Sequence, residues 1–392
     1  MKKTLFIILD GAAEPRANDD LRSSGIGKSA LSLAEKPNLD VLASNSFCGM
    51  WAGPKAPKNY NVKSLSELAT LELLGYSWSD SPGRGFLEAL GIGLRPKKNS
   101  IYFRANFATV DKKLNIIDRR AGRDETGLKA LSKKINMKID GISVRFYKGV
   151  GHRGVLEISG SGLSNAVGDS DTGKNKPDKI VPLSKNARKT AYILNIFLKR
   201  SHDILNKDSI NKKRKPANYI LIRGAGRFKK AMPFKSRYGM KACSVSNSGI
   251  VQGISRYLGI DVINAREYSD VESNLAAKTD IAVRSLERYD FVLIHINGAD
   301  VFAHNKDLKG KVKFIERIDS EVFSRISYMR NIKIVVTSDH ETSSKTGEHV
   351  FGPVPFLFYN GEDYNDIKNF DESSCGKGSI IMNPMDKIMC CD

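Results

Sequence analysis

Four short segments are apolar at nearly every position: TLFIILD (4–10), YILIRG (219–224), FVLIHIN (291–297) and KIVVTSD (333–339), with KACSVS (241–246) a weaker fifth. Unbroken apolar runs of this length fit strands that are covered on both faces of a parallel sheet. Between them lie stretches with helical spacing, including SLSELATLELLGY, SGIVQGISRYLG, TDIAVRSLERY and KVKFIERIDSEVFSRISYM. Strands and helices alternating in this way predict an α/β sandwich around a mostly parallel sheet.

The middle of the chain breaks that pattern. RANFATVDKKLNIIDRRAGR and ISVRFYKGVGHRGVLEISG read as hairpin-rich α+β material. The expected organisation is therefore a discontinuous main domain, 1–94 and 184–392, resuming near the helix-like NARKTAYILNIFLKR, with a smaller inserted domain over 95–183.

Charge reinforces the division. The 392 residues carry 63 Lys and Arg against 43 Asp and Glu, a net +20. Between Arg95 and Lys215 the counts are 29 and 11, so this third of the chain holds nearly the whole excess. Such asymmetry suits a nucleic-acid surface, an anionic small molecule or a solvated basic face. The basic residues are scattered rather than interleaved with aromatics, and no nucleic-acid motif accompanies them. A solvated face is the commonest source of such a run, but its confinement to one third of the chain suggests a separate module. No stretch approaches the ~20 apolar residues that span a bilayer. The start, MKKTLFIILDGAAEPR, has a basic head, but its apolar run is short and ends in Asp10, which reads as a buried first strand. The five cysteines (Cys48, Cys243, Cys375, Cys390, Cys391) form no CxxC pair, which fits a reducing, cytoplasmic setting and argues against a cysteine zinc site.

Ligands bind at the carboxyl ends of strands in open α/β sheets. Here those ends are Asp10-Gly11, Asn297-Gly298-Ala299-Asp300 followed by His304, and Asp339-His340 followed by His349. Any one of them reads as a helix-capping aspartate or a polar loop. Together they bring carboxylates and imidazoles to one edge, the donor set of a divalent metal such as Mn²⁺ or Zn²⁺. Asp300 and His304 stand at i and i+4, so one helical turn would put them on the same face. His295, inside an apolar strand, reads as a core histidine, and His202 as a surface one. Ser64-x-x-Glu67 is a capping box, which puts Ser66 in the first turn of a helix, where an anion is favoured. A serine beside a metal can act as a nucleophile toward a phosphoryl group, although by spacing alone Ser66 is one more first-turn serine. The residues by themselves point to a metal-dependent α/β enzyme that acts on an anion.

Eleven motifs in fixed order add to this reading. ILDGAAEPR, SALSLAEKPNLDVLASNSFCGM, LATLELLGY, GRGFLEALGIG, FRANFATVD, IIDRRAGR, HRGVLEISG, ILIRGAG, GADVFAHNKDLKGKVKFIERID, SDHETS and HVFGPVPFLFY resemble the archaeal type of cofactor-independent phosphoglycerate mutase, in the alkaline phosphatase superfamily. The resemblance covers about residues 4 to 360. It implies an alkaline-phosphatase-like three-layer sandwich and the interconversion of 3-phosphoglycerate and 2-phosphoglycerate without 2,3-bisphosphoglycerate. It implies two divalent metals, Mn²⁺ first, with Zn²⁺, Co²⁺ or Mg²⁺ as alternatives. Asp300, His304 and His349 match the ligands of one; Asp10, Ser66, Asp339 and His340 match those of the other. Ser66 matches the serine that is phosphorylated, and Lys241 the lysine that assists it. Arg119, Arg120, Arg123, His152 and Arg153 of the basic segment, with Arg223 of the main domain, are the candidates for holding substrate.

The chain departs from the family pattern in three places. Ser66 is followed by Glu67 where aspartate is usual. Ala303-His304-Asn305-Lys306 replaces Gly-His-Asp-Gly. Asp171-Thr172-Gly173 stands where Asp-Pro-His is expected. The alternative activity within the superfamily is a metal-dependent phosphatase or another phosphotransferase.

Overall fold

The computed structural model describes residues 2–15, 28–55, 65–265, 271–362 and 364–390. Ser64 of the expected capping box and Cys391 lie outside them. The chain divides into two compact units, Met1–Asp80 with Ala231–Asp392, and Ser81–Lys230.

The first unit is built on an eight-stranded sheet in the order Asp261–Ile263, Ala242–Val245, Phe291–Ile296, Lys3–Leu9, Ile332–Thr337, Val354–Tyr359, Phe47–Trp51, Ile380–Ile381. All but Val354–Tyr359 run in one direction. The central strands are buried at nearly every residue. Leu5, Ile7 and Leu9 pack into a core with Leu275, Phe314 and Val322 from helices on one face. On the other face Phe6 and Phe291 stack near each other, and Phe291 meets Phe234 of helix Phe234–Tyr238. Covering on both faces is what the uninterrupted apolar runs require.

The second unit is an antiparallel sheet centred on Ser100–Val110, which pairs with Ile116–Asp118, Arg153–Ser159 and Tyr219–Arg227. Two of the sequence expectations change here. The boundaries of this unit, 81–230, are wider than 95–183. The segment YILIRG belongs to the antiparallel sheet, not to the parallel one. The reason is visible in the packing. Helix Arg188–Lys207 buries Leu194 and Phe197 in one core with Phe107, Ile220 and Ile222, so helix and strand both stay with this unit. His202, expected at the surface, is half-buried and bonds through Nδ1 to the Asn218 carbonyl at 2.7 Å.

Among the described residues, Cys48, Cys243, Cys375 and Cys390 are unpaired, and no helix is long and apolar enough to cross a membrane.

Candidate metal centre and anion-binding face

In the first unit the register aligns Leu9 with Ile296 and Ile8 with Thr337, so the residues after these strands share one edge. Asp10 follows the first strand. Helix Gly298–His304 follows the second and carries Asp300 and His304 one turn apart, as the spacing predicts. Asp339 and His340 follow the third. The short pair Glu341–Thr342 and His349–Val350 then places His349 opposite Thr342. Gly11 makes the turn after Asp10 at φ +61°. A Cβ there would fall 2.6 Å from Asp300 Oδ1 and 2.8 Å from Thr342 Oγ1, so the close approach needs glycine.

Two groups of donor atoms result, Asp10–Asp339–His340 and Asp300–His340–His349, each with its ligand atoms within 4.8 Å of one another. Ser66, in helix Leu65–Leu73, places Oγ 3.0 Å from His340 Nε2. Around the same nitrogen lie Asp339 Oδ2 at 3.2 Å and Asp10 Oδ1 at 3.4 Å. In the other group His304 Nε2 is 3.2 Å from Asp300 Oδ2 and 3.1 Å from His349 Nε2, which is itself 3.4 Å from Asp300 Oδ1.

The hydrogen bonds decide which nitrogens carry protons. The Thr342 hydroxyl donates to Asp300 Oδ1 at 3.0 Å, so its oxygen accepts from His340 Nδ1, also at 3.0 Å. His340 Nε2 is then unprotonated; it accepts from the Ser66 hydroxyl at 3.0 Å and faces two carboxylates. This explains why Asp339 Oδ2, although 3.2 Å from that nitrogen, receives no hydrogen bond. His304 Nδ1 donates to the Gly347 carbonyl at 2.7 Å, which turns Nε2 toward Asp300, where a proton on Nε2 makes the ring a cation paired with that carboxylate. A lone pair set against carboxylates in a buried site repels unless a cation lies between them.

Electrostatics agree. Burial raises the Asp339 carboxyl to about 7, against the lowering effect of the Gly11 N–H. Burial also pushes Asp300 up, but hydrogen bonds from His304 and His349 outweigh it and hold the carboxyl well below its usual range. Burial, with His349 nearby, keeps His340 far below the usual imidazole value, in the neutral form that ligates metal. The hydrogen bond to Asp300 raises His304, so that pair attracts a cation, whether proton or metal.

Asp10, Ser66, Asp300, His304, Asp339, His340 and His349 are thus brought together. Lys241 is not. It immediately precedes strand Ala242–Val245, whose first residue pairs with Phe291, and this puts it at the start of the parallel strands while the ligands stand at their ends. Its ammonium lies over the Tyr289 ring, 4.7 Å from the centroid. His295 is the buried histidine expected, and its Nε2 comes within 3.4 Å of Asp10 Oδ2.

In the second unit one face of the sheet is cationic. Arg104 stands directly across from Arg223, and Asn106 directly across from Arg153. Residues paired in this way point to the same face. Above them, Arg84 and Glu88 come from helix Arg84–Gly91. Glu88 Oε1 accepts from Arg84 Nε at 2.9 Å and from Arg104 Nη1 at 3.3 Å. Burial would raise the Glu88 carboxyl, but the Arg104 and Arg84 charges outweigh it and hold it at about 2. Arg104 Nε and Arg223 Nε are buried without hydrogen-bond acceptors, so donors remain for an anion. Burial, then Arg153 and Arg104, lower His152 to about 4, so it is neutral at ordinary pH.

The remaining candidates differ in availability. Arg119 lies 3.7 Å from Asp171 and also donates to the Lys174 carbonyl. Asp171, the first residue of one departure, therefore holds an arginine. Arg120 and Arg123 are exposed on a loop where Ala121, Gly122 and Arg123 all take positive φ. The sequence reading missed Arg84, Glu88, Arg104 and Asn106. The available signal was an arginine in the buried strand of FRANFATV, where only a satisfied or functional charge belongs.

The family model described as 2,3-bisphosphoglycerate-independent phosphoglycerate mutase matches residues 43–211. A curated relative from Picrophilus torridus, named 2,3-bisphosphoglycerate-independent phosphoglycerate mutase, is 36% identical, over 98% of this chain and 96% of its own. The solved cofactor-independent phosphoglycerate mutase from Thermoplasma acidophilum is similar at 32% identity and a TM-score of 0.66, covering 100% of this chain and 99% of that one. A solved protein of Pyrococcus horikoshii is similar at 29% identity and a TM-score of 0.80, covering 99% and 96%.

Proposed function

The chain belongs to the 2,3-bisphosphoglycerate-independent phosphoglycerate mutase family, and from that premise we propose that it interconverts 3-phosphoglycerate and 2-phosphoglycerate by passing the phosphoryl group through Ser66. The observation that supports this most directly is the convergence of the Ser66 hydroxyl on His340 Nε2 at 3.0 Å, inside a ring of carboxylates.

Asp10, Ser66, Asp339 and His340 would hold one divalent cation; Asp300, His304 and His349 would hold the other, with Mn²⁺ the first choice among Mn²⁺, Zn²⁺, Co²⁺ and Mg²⁺. Such cations, when bound, supply Lewis acidity that lowers the pKa of a serine hydroxyl and offsets charge on phosphoryl oxygens. Ser66 Oγ gives up its proton and attacks phosphorus, the bond from phosphorus to the 3-oxygen breaks, and that oxygen leaves and takes up a proton in exchange. Glycerate turns while it stays bound; its 2-hydroxyl loses its proton as the 2-oxygen attacks phosphoserine, the bond from phosphorus to Oγ breaks, and Ser66 Oγ regains a proton. This exchange succeeds only if glycerate is retained and water is kept out. Guanidinium groups that grip a carboxylate by two hydrogen bonds suit that task. We assign it to the cationic face of the second unit, with Arg84, Arg104, Arg153 and Arg223 as its core and Arg119, Arg120, Arg123 and His152 at its margin. Lys241 has no part in this scheme.

The test is to supply 3-phosphoglycerate and Mn²⁺ without 2,3-bisphosphoglycerate and to measure both 2-phosphoglycerate and free phosphate. Formation of 2-phosphoglycerate well above phosphate is expected. Phosphate without 2-phosphoglycerate would replace the mutase with a phosphatase.

A further inference from the structure

We propose that Thr342 is the positioning residue that couples the two halves of the metal centre, fixing the tautomer of His340 and the orientation of Asp300 through a single hydroxyl. The proposal rests on the reading that each half holds a cation.

Thr342 Oγ1 is 3.0 Å from His340 Nδ1 and 3.0 Å from Asp300 Oδ1, so it touches one ligand of each half. A carboxylate oxygen can only accept, which commits the hydroxyl proton to Asp300. The remaining lone pairs then accept from His340 Nδ1–H, and His340 Nε2 is left unprotonated, facing Asp10 and Asp339 and accepting from the Ser66 hydroxyl. Removing the proton from one end of this chain removes the reason for its place at the other.

The residue has little freedom to re-aim. It is fully buried. Its N–H donates to the Ala13 carbonyl at 3.0 Å, and it pairs across a short ladder with His349. Its own carbonyl accepts from Lys311 Nζ at 3.0 Å, and Lys311, also fully buried, pairs with Glu14 Oε1 at 2.7 Å. Glu14 in turn accepts from the Ser344 N–H at 3.0 Å. The backbone around Thr342 is therefore anchored to the segment after Asp10 and to the segment after His340. The hydroxyl sits where those anchors put it.

Thr342→Val keeps the shape and removes the hydroxyl. His340 Nδ1–H would become a buried donor without an acceptor, which favours the other tautomer, with its proton on Nε2 and donated to Asp339 or Asp10. That proton would stand where a cation must bind. Asp300 would lose its donor in the same change. Loss of an outer hydrogen-bond partner of a metal ligand typically weakens metal binding about 10- to 100-fold. Here both halves should weaken together, and Thr342→Ser should restore both.

The experiment titrates Mn²⁺ into metal-free wild type, Thr342→Val and Thr342→Ser by calorimetry, with free Mn²⁺ followed by electron paramagnetic resonance. Thermal midpoints of the metal-free proteins check folding. In parallel, ¹⁵N NMR of the histidine rings reads the His340 tautomer in metal-free wild type. Two Mn²⁺ per wild-type chain, about 10- to 100-fold weaker binding of both in Thr342→Val, recovery in Thr342→Ser and a His340 Nδ1–H tautomer are expected. Unchanged binding in Thr342→Val, weakening of one Mn²⁺ alone, or failure of serine to restore binding would overturn the coupling. A wild-type Nε2–H tautomer would overturn it even if the valine variant does not fold. Fewer than two Mn²⁺ on the wild type would count against the two-cation reading instead, and the tautomer would still decide Thr342's hold on His340.

Discussion

The two units of this chain solve opposite electrostatic problems. The first holds 29 Lys and Arg against 31 Asp and Glu, and concentrates carboxylates and imidazoles at one sheet edge. The second holds 34 against 12, and sets arginines face to face across a sheet. Like charges directly opposite on a sheet are destabilising, as are carboxylates gathered around a bare imidazole nitrogen. Each arrangement makes sense only with a complement of the other sign. On the proposed reading the first unit takes cations and the second an anion, whose place Glu88 fills only in part.

If bond making belongs to the first unit, Ser66→Ala should have the largest effect of any single change, a loss of mutase turnover on the order of 10⁴-fold or more. Metal binding should persist through Asp10, Asp339 and His340. Coupled assay of 2-phosphoglycerate formation measures the first, and Mn²⁺ titration the second. Full activity in this variant would remove the phosphoserine route and leave the two units with no division of labour.

The acid sensitivity of the second unit should differ from that of the first through Glu88. Its folded carboxyl is held at about 2, below the unfolded value of 4.5. A depressed carboxyl contributes stability above the unfolded value, and that contribution is lost as pH falls through 4.5 toward 2. The full contribution is on the order of 3 kcal/mol. Urea unfolding at pH 6 and pH 3 should therefore show a steeper loss for wild type than for Glu88→Gln. Equal losses would mean that Glu88 is not the counter-charge of this face.

The contrast between the units also explains what could be read from the sequence. In the first unit three of the ligands each follow an apolar strand, so Asp10, Asp300 and Asp339 were legible at the points where apolar runs stop. The parallel register then gathers them, and no pairing had to be known in advance. In the second unit the cluster exists only through pairing. Arg104 meets Arg223 because two strands more than a hundred residues apart align. Locally, Arg104 in an apolar run says only that the charge must have a partner and not which one, and nothing local distinguishes YILIRG from a strand of the parallel sheet. The runs look alike because helices Arg84–Gly91 and Arg188–Lys207 help to bury Tyr219–Arg227, as the helical layers bury the parallel strands. The position of Ser66 was a matter of resemblance, and the placement of Lys241 by the same resemblance did not survive the register of strand Ala242–Val245.

Arg104→Met tests the anion-binding role directly. It removes a charge that no loop residue can replace and leaves the metal ligands untouched. Charge-assisted hydrogen bonds are each worth roughly 1.5–3 kcal/mol, so kcat/KM for 3-phosphoglycerate should fall about 10- to 100-fold. Free phosphate should rise relative to 2-phosphoglycerate, since glycerate held less firmly can leave before it attacks. Arg120→Ala, on an exposed loop, should change both quantities less. If the two variants are indistinguishable, the sheet face is not the site of retention.

The smallest expected effect is the most discriminating for the placement of Lys241. Its ammonium lies over Tyr289, its backbone N–H donates to Asp290 at 2.8 Å, and it stands in register with the beginnings of the strands whose ends carry the metal ligands. A strand rises about 3.3 Å per residue, so the length of Phe291–Ile296 separates the two edges by roughly 20 Å. A lysine side chain does not reach across that distance. Lys241→Ala removes one exposed cation–π contact, worth about 0.5–1 kcal/mol of stability. Mutase turnover should therefore be nearly that of wild type, while the thermal midpoint falls slightly. A loss of turnover approaching that of Ser66→Ala would require Lys241 to act beside the nucleophile, and strand Ala242–Val245 would then have to present its first residues to the opposite edge of the sheet.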